Sequence, residues 1–389
     1  AGLVSGRDPY YRDLARVNVD TGEITTIVSG DREIVCITQK GQALMMAYNR
    51  DAEAASGVSE TGNFAVITQS RVDEVPISLL VDRDGRRILE LETADISGLP
   101  DNWRWPEPVK LLAEDGKTDI FGLVFRPTDF CPDQSYPVVT HVFNTPELSW
   151  VSKGSFSNGI VNGLPYLDAA ALAELGFIVV QIDGRGTPYR NKAFHDESYG
   201  WYESSSNLQD HVAGIKQLAE RYPYMDLNRV GITAHTTGGA GGVQGLLQHP
   251  EFYKVGVQAM FHDSRLMAAP MMGEKYEGLF GPEADKKYPE VSVDKLRGKL
   301  LLLHGMLDSC TPPATVFRLV EKLQESNKDF DMLLLPNLAH MCSSYLIRRA
   351  WDYLVTHLQK TEPPKEFELT TFWDSDVYQN IFTDLENNN

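Results

Sequence analysis

The segment Ala234-His235-Thr236-Thr237-Gly238 sets a hydroxyl between two small residues, each two positions away. That spacing is what a sharp strand-to-helix turn needs when it displays a nucleophile. The turn brings two backbones together, and larger side chains at the flanking positions would clash. Thr236 is the candidate nucleophile, at a place where serine is the usual residue. The pattern alone leaves two other readings open: an ordinary tight turn, or a glycine-rich helix entrance that cradles a phosphate.

Two later residues narrow the chemistry. Asp308 lies three residues past the apolar run 299–305, and His340 four residues past the run 330–336. Side chains so placed project above the end of a sheet. Nucleophile, acid and histidine in that chain order are the arrangement of an α/β-hydrolase. In such a triad His340 is the base that takes the nucleophile's proton, and Asp308 holds its ring. A lone loop histidine is more often surface decoration, so the weight comes from its order relative to Asp308.

The four cysteines, Cys36, Cys131, Cys310 and Cys342, are widely spaced and form no CxxC pair or Cys/His cluster. No zinc site, other metal or cofactor is expected from them. Free thiols buried in the core are the plain reading. Cys310 follows Asp308 by two residues and Cys342 follows His340 by two. A formed triad therefore brings these thiols near each other, and a bridge in an oxidising compartment would need Cα atoms within ~7 Å.

The elements that must position these residues are legible as alternating strands and helices. Residues 123–127 and 136–143 read as strands, 166–175 as a helix, and 176–186 as a buried strand ending in a glycine turn. Over 207–221, Leu208, Val212, Ile215, Leu218 and Ala219 share one helical face. Strand 229–235 is followed by helix 241–248, strand 299–305 by helix 314–326, and strand 330–336 by helix 344–359. Repeated β-α-β units with near-continuous apolar strands imply a parallel sheet with helices on both faces. Before Trp103-Arg104-Trp105-Pro106 the pattern differs: short apolar runs with turn signals at Asp20-Thr21-Gly22, Lys40-Gly41 and Asp84-Gly85. These predict antiparallel hairpins of the β-propeller kind, about two blades at ~40–45 residues each. The expected division is an all-β, partial propeller-like segment at 1–105, an α/β-hydrolase domain at 106–362, and an acidic tail at 363–389.

Composition removes other classes. With 36 Lys and Arg against 54 Asp and Glu, the formal charge is −18, which disfavours nucleic acid as a partner. A hydrophobic share of 42% excludes a wholly disordered chain. No apolar run reaches the ~18 residues of a membrane span. The opening AGLVSGRDPYY does not read as a signal peptide. A processed chain would look the same, so secretion or export to a periplasm stays open.

Many segments resemble the C-terminal part of bacterial prolyl oligopeptidase-family proteins, of the dipeptidyl-peptidase-IV-like branch. They include GRDPYYRDLARVN, WPEPVKLLAEDGKTDIFGLVFRP, ALAELGFIVVQIDGRGTPYRNKAFHD, HGMLDSCTPP, FDMLLLPNLAH and RRAWDYLVTHL, and together cover most of residues 6–365. The resemblance implies the last blades of a propeller, then an α/β-hydrolase domain, and cleavage of short peptides by a Ser-Asp-His triad. It also implies pairing through the hydrolase domain, or association with the remaining propeller blades.

The sequence departs from that family at functional positions. Thr236 replaces the serine. Phe143, in HVFNTP, replaces a tyrosine whose hydroxyl helps bind the oxyanion; Phe143 and Thr237 make up that region here. In HGMLDSCT, Cys310 replaces an asparagine. The aromatic proline pocket gives way to residues 266–272, so Ala268, Met272 and Cys310 are the expected pocket residues. The resemblance places the paired glutamates that grip a peptide's amino terminus in propeller sequence outside these 389 residues. Three readings follow: an impaired or inactive homologue that binds a peptide or small molecule, a weak peptidase or esterase using Thr236, His340 and Asp308, or a fragment of an active peptidase.

Overall fold

Residues 7–36, 57–143, 146, 148–156, 164–199, 207–235, 241–261, 274–276, 278, 292–340 and 342–371 are described by the computed structural model. The chain divides into two compact units: Ala1–Pro108 with Val151–Ala171, and Val109–Trp150 with Leu172–Asn389.

The first unit holds two antiparallel sheets. Strands β1 (Leu14–Val17) and β2 (Ile24–Val28) pair across the Asp20-Thr21-Gly22 turn, where Gly22 adopts φ +73°. Strands β3 (Glu33–Val35), β4 (Phe64–Ser70), β5 (Ile77–Asp82) and β6 (Arg87–Thr93) form a four-stranded sheet in chain order. Four antiparallel strands are the content of one propeller blade. Ala65 and Ile67 of β4 and Leu79 and Val81 of β5 alternate onto one buried face with Ile34. The turn expected at Lys40-Gly41 lies outside the described residues.

The second unit is built on an eight-stranded sheet. Its strands are β7 (Glu107–Leu112), β8 (Asp119–Phe125), β9 (Tyr136–Val142), β10 (Ile178–Asp183), β11 (Met225–His235), β12 (Tyr253–Ala259), β13 (Lys299–Gly305) and β14 (Asp331–Leu335). Their spatial order is β7-β8-β10-β9-β11-β12-β13-β14. From β10 through β14 every neighbouring pair is parallel, and β8 joins β10 antiparallel. Parallel strands covered on both faces must be apolar throughout, and all six residues of β10 are buried. Each fully buried Val, Ile or Leu contributes ~1.5–3 kcal/mol, so strands such as LLLL in β13 hold the sheet together.

Helices α1 (Leu164–Ala173), α2 (Lys192–Asp196), α3 (Leu208–Arg221), α4 (Gly241–Gln248), α5 (Pro313–Glu325) and α6 (Ser344–Leu354) connect or follow these strands. Helix α3 buries Leu208, Val212, Ile215 and Leu218, the face that its periodicity predicted. The final helix leaves α geometry at Leu354 and continues as a π turn, Val355–Gln359. Strand β12 was not anticipated. Its Gln258 breaks an apolar pattern, yet the side chain is fully buried and satisfied, accepting from Gly242 N at 3.0 Å and donating to Ala259 O at 3.0 Å. Among the described residues no helix is long and apolar enough to cross a membrane.

Candidate active site

Strand β13 ends in His304-Gly305, and the loop beyond it is pinned back to the strand. His304 Nε2 donates to the carbonyl of Thr311 at 2.9 Å, and both residues are fully buried. Asp308 sits inside that loop. Its Oδ1 accepts the backbone N–H groups of Cys310 at 2.9 Å and Thr311 at 2.8 Å. Its Oδ2 accepts the Thr311 hydroxyl at 2.6 Å and His340 Nδ1–H at 2.8 Å. Four donors on one buried carboxylate satisfy its capacity and leave it acceptor-only. Burial would raise the Asp308 carboxyl, but the bonds from His340 and Thr311 prevail and hold it below the usual carboxylate range.

His340 lies between β14 and α6. The loop carrying it is tied to the Asp308 loop by Leu307 N donating to Leu338 O at 3.0 Å. On the other side Ser343 caps α6, accepting from Leu346 N at 3.2 Å. Burial disfavours the charged imidazole, but hydrogen bonds to Asp308 and Cys310 outweigh it and raise His340 to about 9.

The remaining walls are aromatic. Phe143, just past β9, packs at a tilt against Trp150 with centroids 4.7 Å apart and stacks toward His235 at 6.1 Å. His235 in turn lies 6.2 Å from His340. Trp150 is placed by Asp183 at the end of β10, which accepts Trp150 N at 2.9 Å and the hydroxyl of Ser149. The Trp150 indole N–H reaches His141 Nδ1 at 3.3 Å. Indole nitrogen only donates, so Nδ1 of His141 is the unprotonated one and the ring is neutral. Burial pushes His141 down to about 4. Burial, reinforced by the neighbouring His340, pushes His235 down to about 3.

Of the residues singled out from sequence, Asp308, His340, Cys310 and Phe143 are described and gather at this end of the sheet. Thr236, Thr237, Ala268 and Met272 lie outside the described residues. The strand and helix that flank Thr236 are present: β11 ends at His235 and α4 begins at Gly241. A Cβ on Gly242 would stand 2.4 Å from Val257 O, so only glycine allows α4 this close to β12. Cys310 and Cys342 are free thiols, half-buried rather than buried. Cys342 Sγ lies 3.4 Å from His235 Nε2. Sequence reasoning missed Thr311, whose hydroxyl is aimed at Asp308. It also missed His141, His235 and Trp150, because nothing in their spacing announces a shared wall.

A mainly parallel sheet, with acid and histidine on the loops after its last two strands, defines the α/β-hydrolase class. Residues 165–361, just over half of the chain, match the model of the prolyl oligopeptidase family, and the chain belongs to that family. It is 30% identical to human dipeptidyl peptidase 8 over 254 residues, covering 62% of this chain and 27% of that protein. It is 27% identical to dipeptidyl peptidase family member 1 of Caenorhabditis elegans over 222 residues, 54% of this chain and 26% of that one. A Bacteroides ovatus crystal structure described as a dipeptidyl aminopeptidase IV superimposes with a TM-score of 0.69 at 22% identity, covering 90% of this chain and 54% of that one. The chain spans about a quarter of the length of the curated relatives it matches.

Proposed function

We propose that this chain is a serine-peptidase-type member of its family in which hydrolysis is impaired or lost, and that it acts by binding a peptide or small molecule. The observation that carries this reading is Phe143. Its ring is packed between Trp150 and His235, beside an Asp308–His340 pair that keeps a triad's geometry. Phenylalanine has no hydroxyl to offer an oxyanion, and one missing oxyanion donor lowers kcat by ~10²–10³. Threonine at 236 adds a methyl to serine's side chain and stiffens χ1. The raised His340 imidazole holds its proton more readily than an ordinary histidine, and only the neutral ring accepts a proton.

In this reading Thr236, Asp308 and His340 are the remnant triad, Phe143 and Thr237 the oxyanion region, and Ala268, Met272 and Cys310 pocket residues. The all-β segment at 1–105 is part of a propeller, 106–362 the hydrolase domain and 363–389 a tail. A second copy of the chain or further propeller blades are the expected partners, and no cofactor is required.

A second reading keeps Thr236 as a weak nucleophile, favoured by the 2.8 Å contact between His340 and Asp308. Turnover of a simple ester tests the two. The binding reading expects no turnover beyond that of Thr236→Ala and His340→Ala variants. A rate abolished by both substitutions makes Thr236 a working nucleophile and removes the pseudoenzyme reading.

A further inference from the structure

Strand β10 reads IVVQID, and its Gln181 is fully buried in the middle of the sheet, where an unpaired amide is costly. The amide is spent on one atom of the adjoining strand: Gln181 Nε2 lies 3.0 Å from His141 Nδ1. The buried indole of Trp150 reaches the same nitrogen at 3.3 Å, and Asp183 fixes Trp150 by accepting its backbone N–H at 2.9 Å. An indole N–H only donates, so His141 Nδ1 is the acceptor and the proton of the neutral ring sits on Nε2. Among the described residues no hydrogen bond is made by Nε2. The lone pair of the ring is occupied by two donors, so His141 serves neither as a base nor as a metal ligand. What remains to it is the role of a fixed, neutral donor.

We propose that His141 is a ligand-binding residue of the candidate site, its Nε2–H donating to a backbone carbonyl oxygen of a bound peptide. The proposal rests on the reading of this site as one that binds a peptide, and it names the contact. His141 stands two residues before Phe143, and both rings pack against Trp150, with centroids 5.5 and 4.7 Å away. The His141 ring is partly exposed, whereas Gln181 and Trp150 on its Nδ1 are buried. The open edge of the ring is therefore the one that carries Nε2.

Two features of this arrangement select the ligand group. A donor needs a lone pair opposite it, so a carbonyl oxygen fits and a protonated amine does not. The ring is also held from behind by two buried groups, so little freedom is lost when it engages a ligand. Phe143 offers no hydroxyl at this wall, and the donor two positions earlier gives it a polar contact by another residue.

Imidazole nitrogen NMR of the full chain tests the tautomer: Nδ1 of His141 should give the signal of a bare ring nitrogen and Nε2 that of a protonated one. The reverse tautomer overturns the proposal whether or not a ligand is found. Calorimetric titration with the tripeptide alanyl-prolyl-alanine tests the contact. His141→Phe keeps a ring against Trp150 and removes the donor, and it is expected to bind the peptide about three- to tenfold more weakly. His141→Gln, whose amide accepts on one side and donates on the other, should recover most of that affinity. A loss that His141→Gln does not recover belongs to packing and overturns the proposal. Equal affinity of His141→Phe and the unmodified chain overturns the proposal and leaves the binding reading intact, whereas no binding by the unmodified chain removes both. Should His141→Phe fail to fold, the Nε2–H signal of the unmodified chain, assigned through His141→Gln, decides: a downfield shift on adding the peptide supports the contact, and an unmoved signal overturns it.

Discussion

Gly305 and Leu338 meet backbone to backbone: a Cβ built on Gly305 would stand 2.3 Å from the Leu338 carbonyl oxygen and 2.5 Å from that of Ala339. This contact holds the end of β13 against the loop that presents His340. The Asp308–His340 bond crosses the same junction, so a side chain at 305 forces apart the two loops that the site needs together.

Gly305→Ala is therefore expected to destabilise the second unit by ~1–3 kcal/mol and to separate His340 from Asp308. A lowered urea midpoint, together with loss of the downfield imidazole proton signal of a carboxylate-bound histidine, is the expected outcome. An unchanged signal would show that the loop yields without moving His340.

In the proposed triad Phe143→Tyr and Thr236→Ser would act on one tetrahedral intermediate, so their effects should reinforce each other. Each single variant is expected to stay close to background on an ester, and the double variant to exceed the product of the two. The restored donor accounts for up to ~10²–10³ of that gain. Proline-containing dipeptide chromogens are expected to remain poor substrates of every variant. Equal rates for the double variant and Thr236→Ser would show that position 143 does not face the oxyanion.

His340 should titrate at about 9 rather than at the ordinary value of 6.5. Its folded pKa is raised, so the stability it contributes is fully present below pH 6.5 and fades as pH rises through 9. Any hydrolysis that uses His340 as base should increase over the same interval as the neutral ring appears. Imidazole NMR against pH, with Asp308→Asn as comparison, checks this. A midpoint near 6.5 in the unmodified chain would show that Asp308 does not raise the His340 imidazole.

Thr311→Val keeps the shape of the buried side chain and deletes the hydroxyl that donates to Asp308 at 2.6 Å. A hydrogen bond to a buried charge is worth ~1.5–3 kcal/mol, and a loss of that order at pH 7 is expected. Because the bond helps depress the Asp308 pKa, the stability it supplies is present above the ordinary carboxylate pKa and declines as pH falls below it. The difference between Thr311→Val and the unmodified chain should shrink in acid. Thr311→Ser should recover most of the stability, and failure of that recovery would assign the loss to packing.

The sequence by itself determined the fold class and the order of the chemistry. Apolar runs such as IVVQID and KLLLLHG can be buried on both faces only in a covered parallel sheet. The chain order of the Thr236 turn, Asp308 and His340 then follows from where those strands end. Helix α3 was legible because its apolar face repeats at the helical period, whereas β12 was not, because Gln258 finds its partners only after α4 has packed above it. Departures such as Phe143 and Cys310 were visible as residue types, but their consequences were not. That Phe143 faces His235 and that His340 reaches Asp308 depend on loops from different strands converging. Such contacts join positions far apart along the chain, and their distances are set by the packing of the whole sheet, which no local pattern encodes.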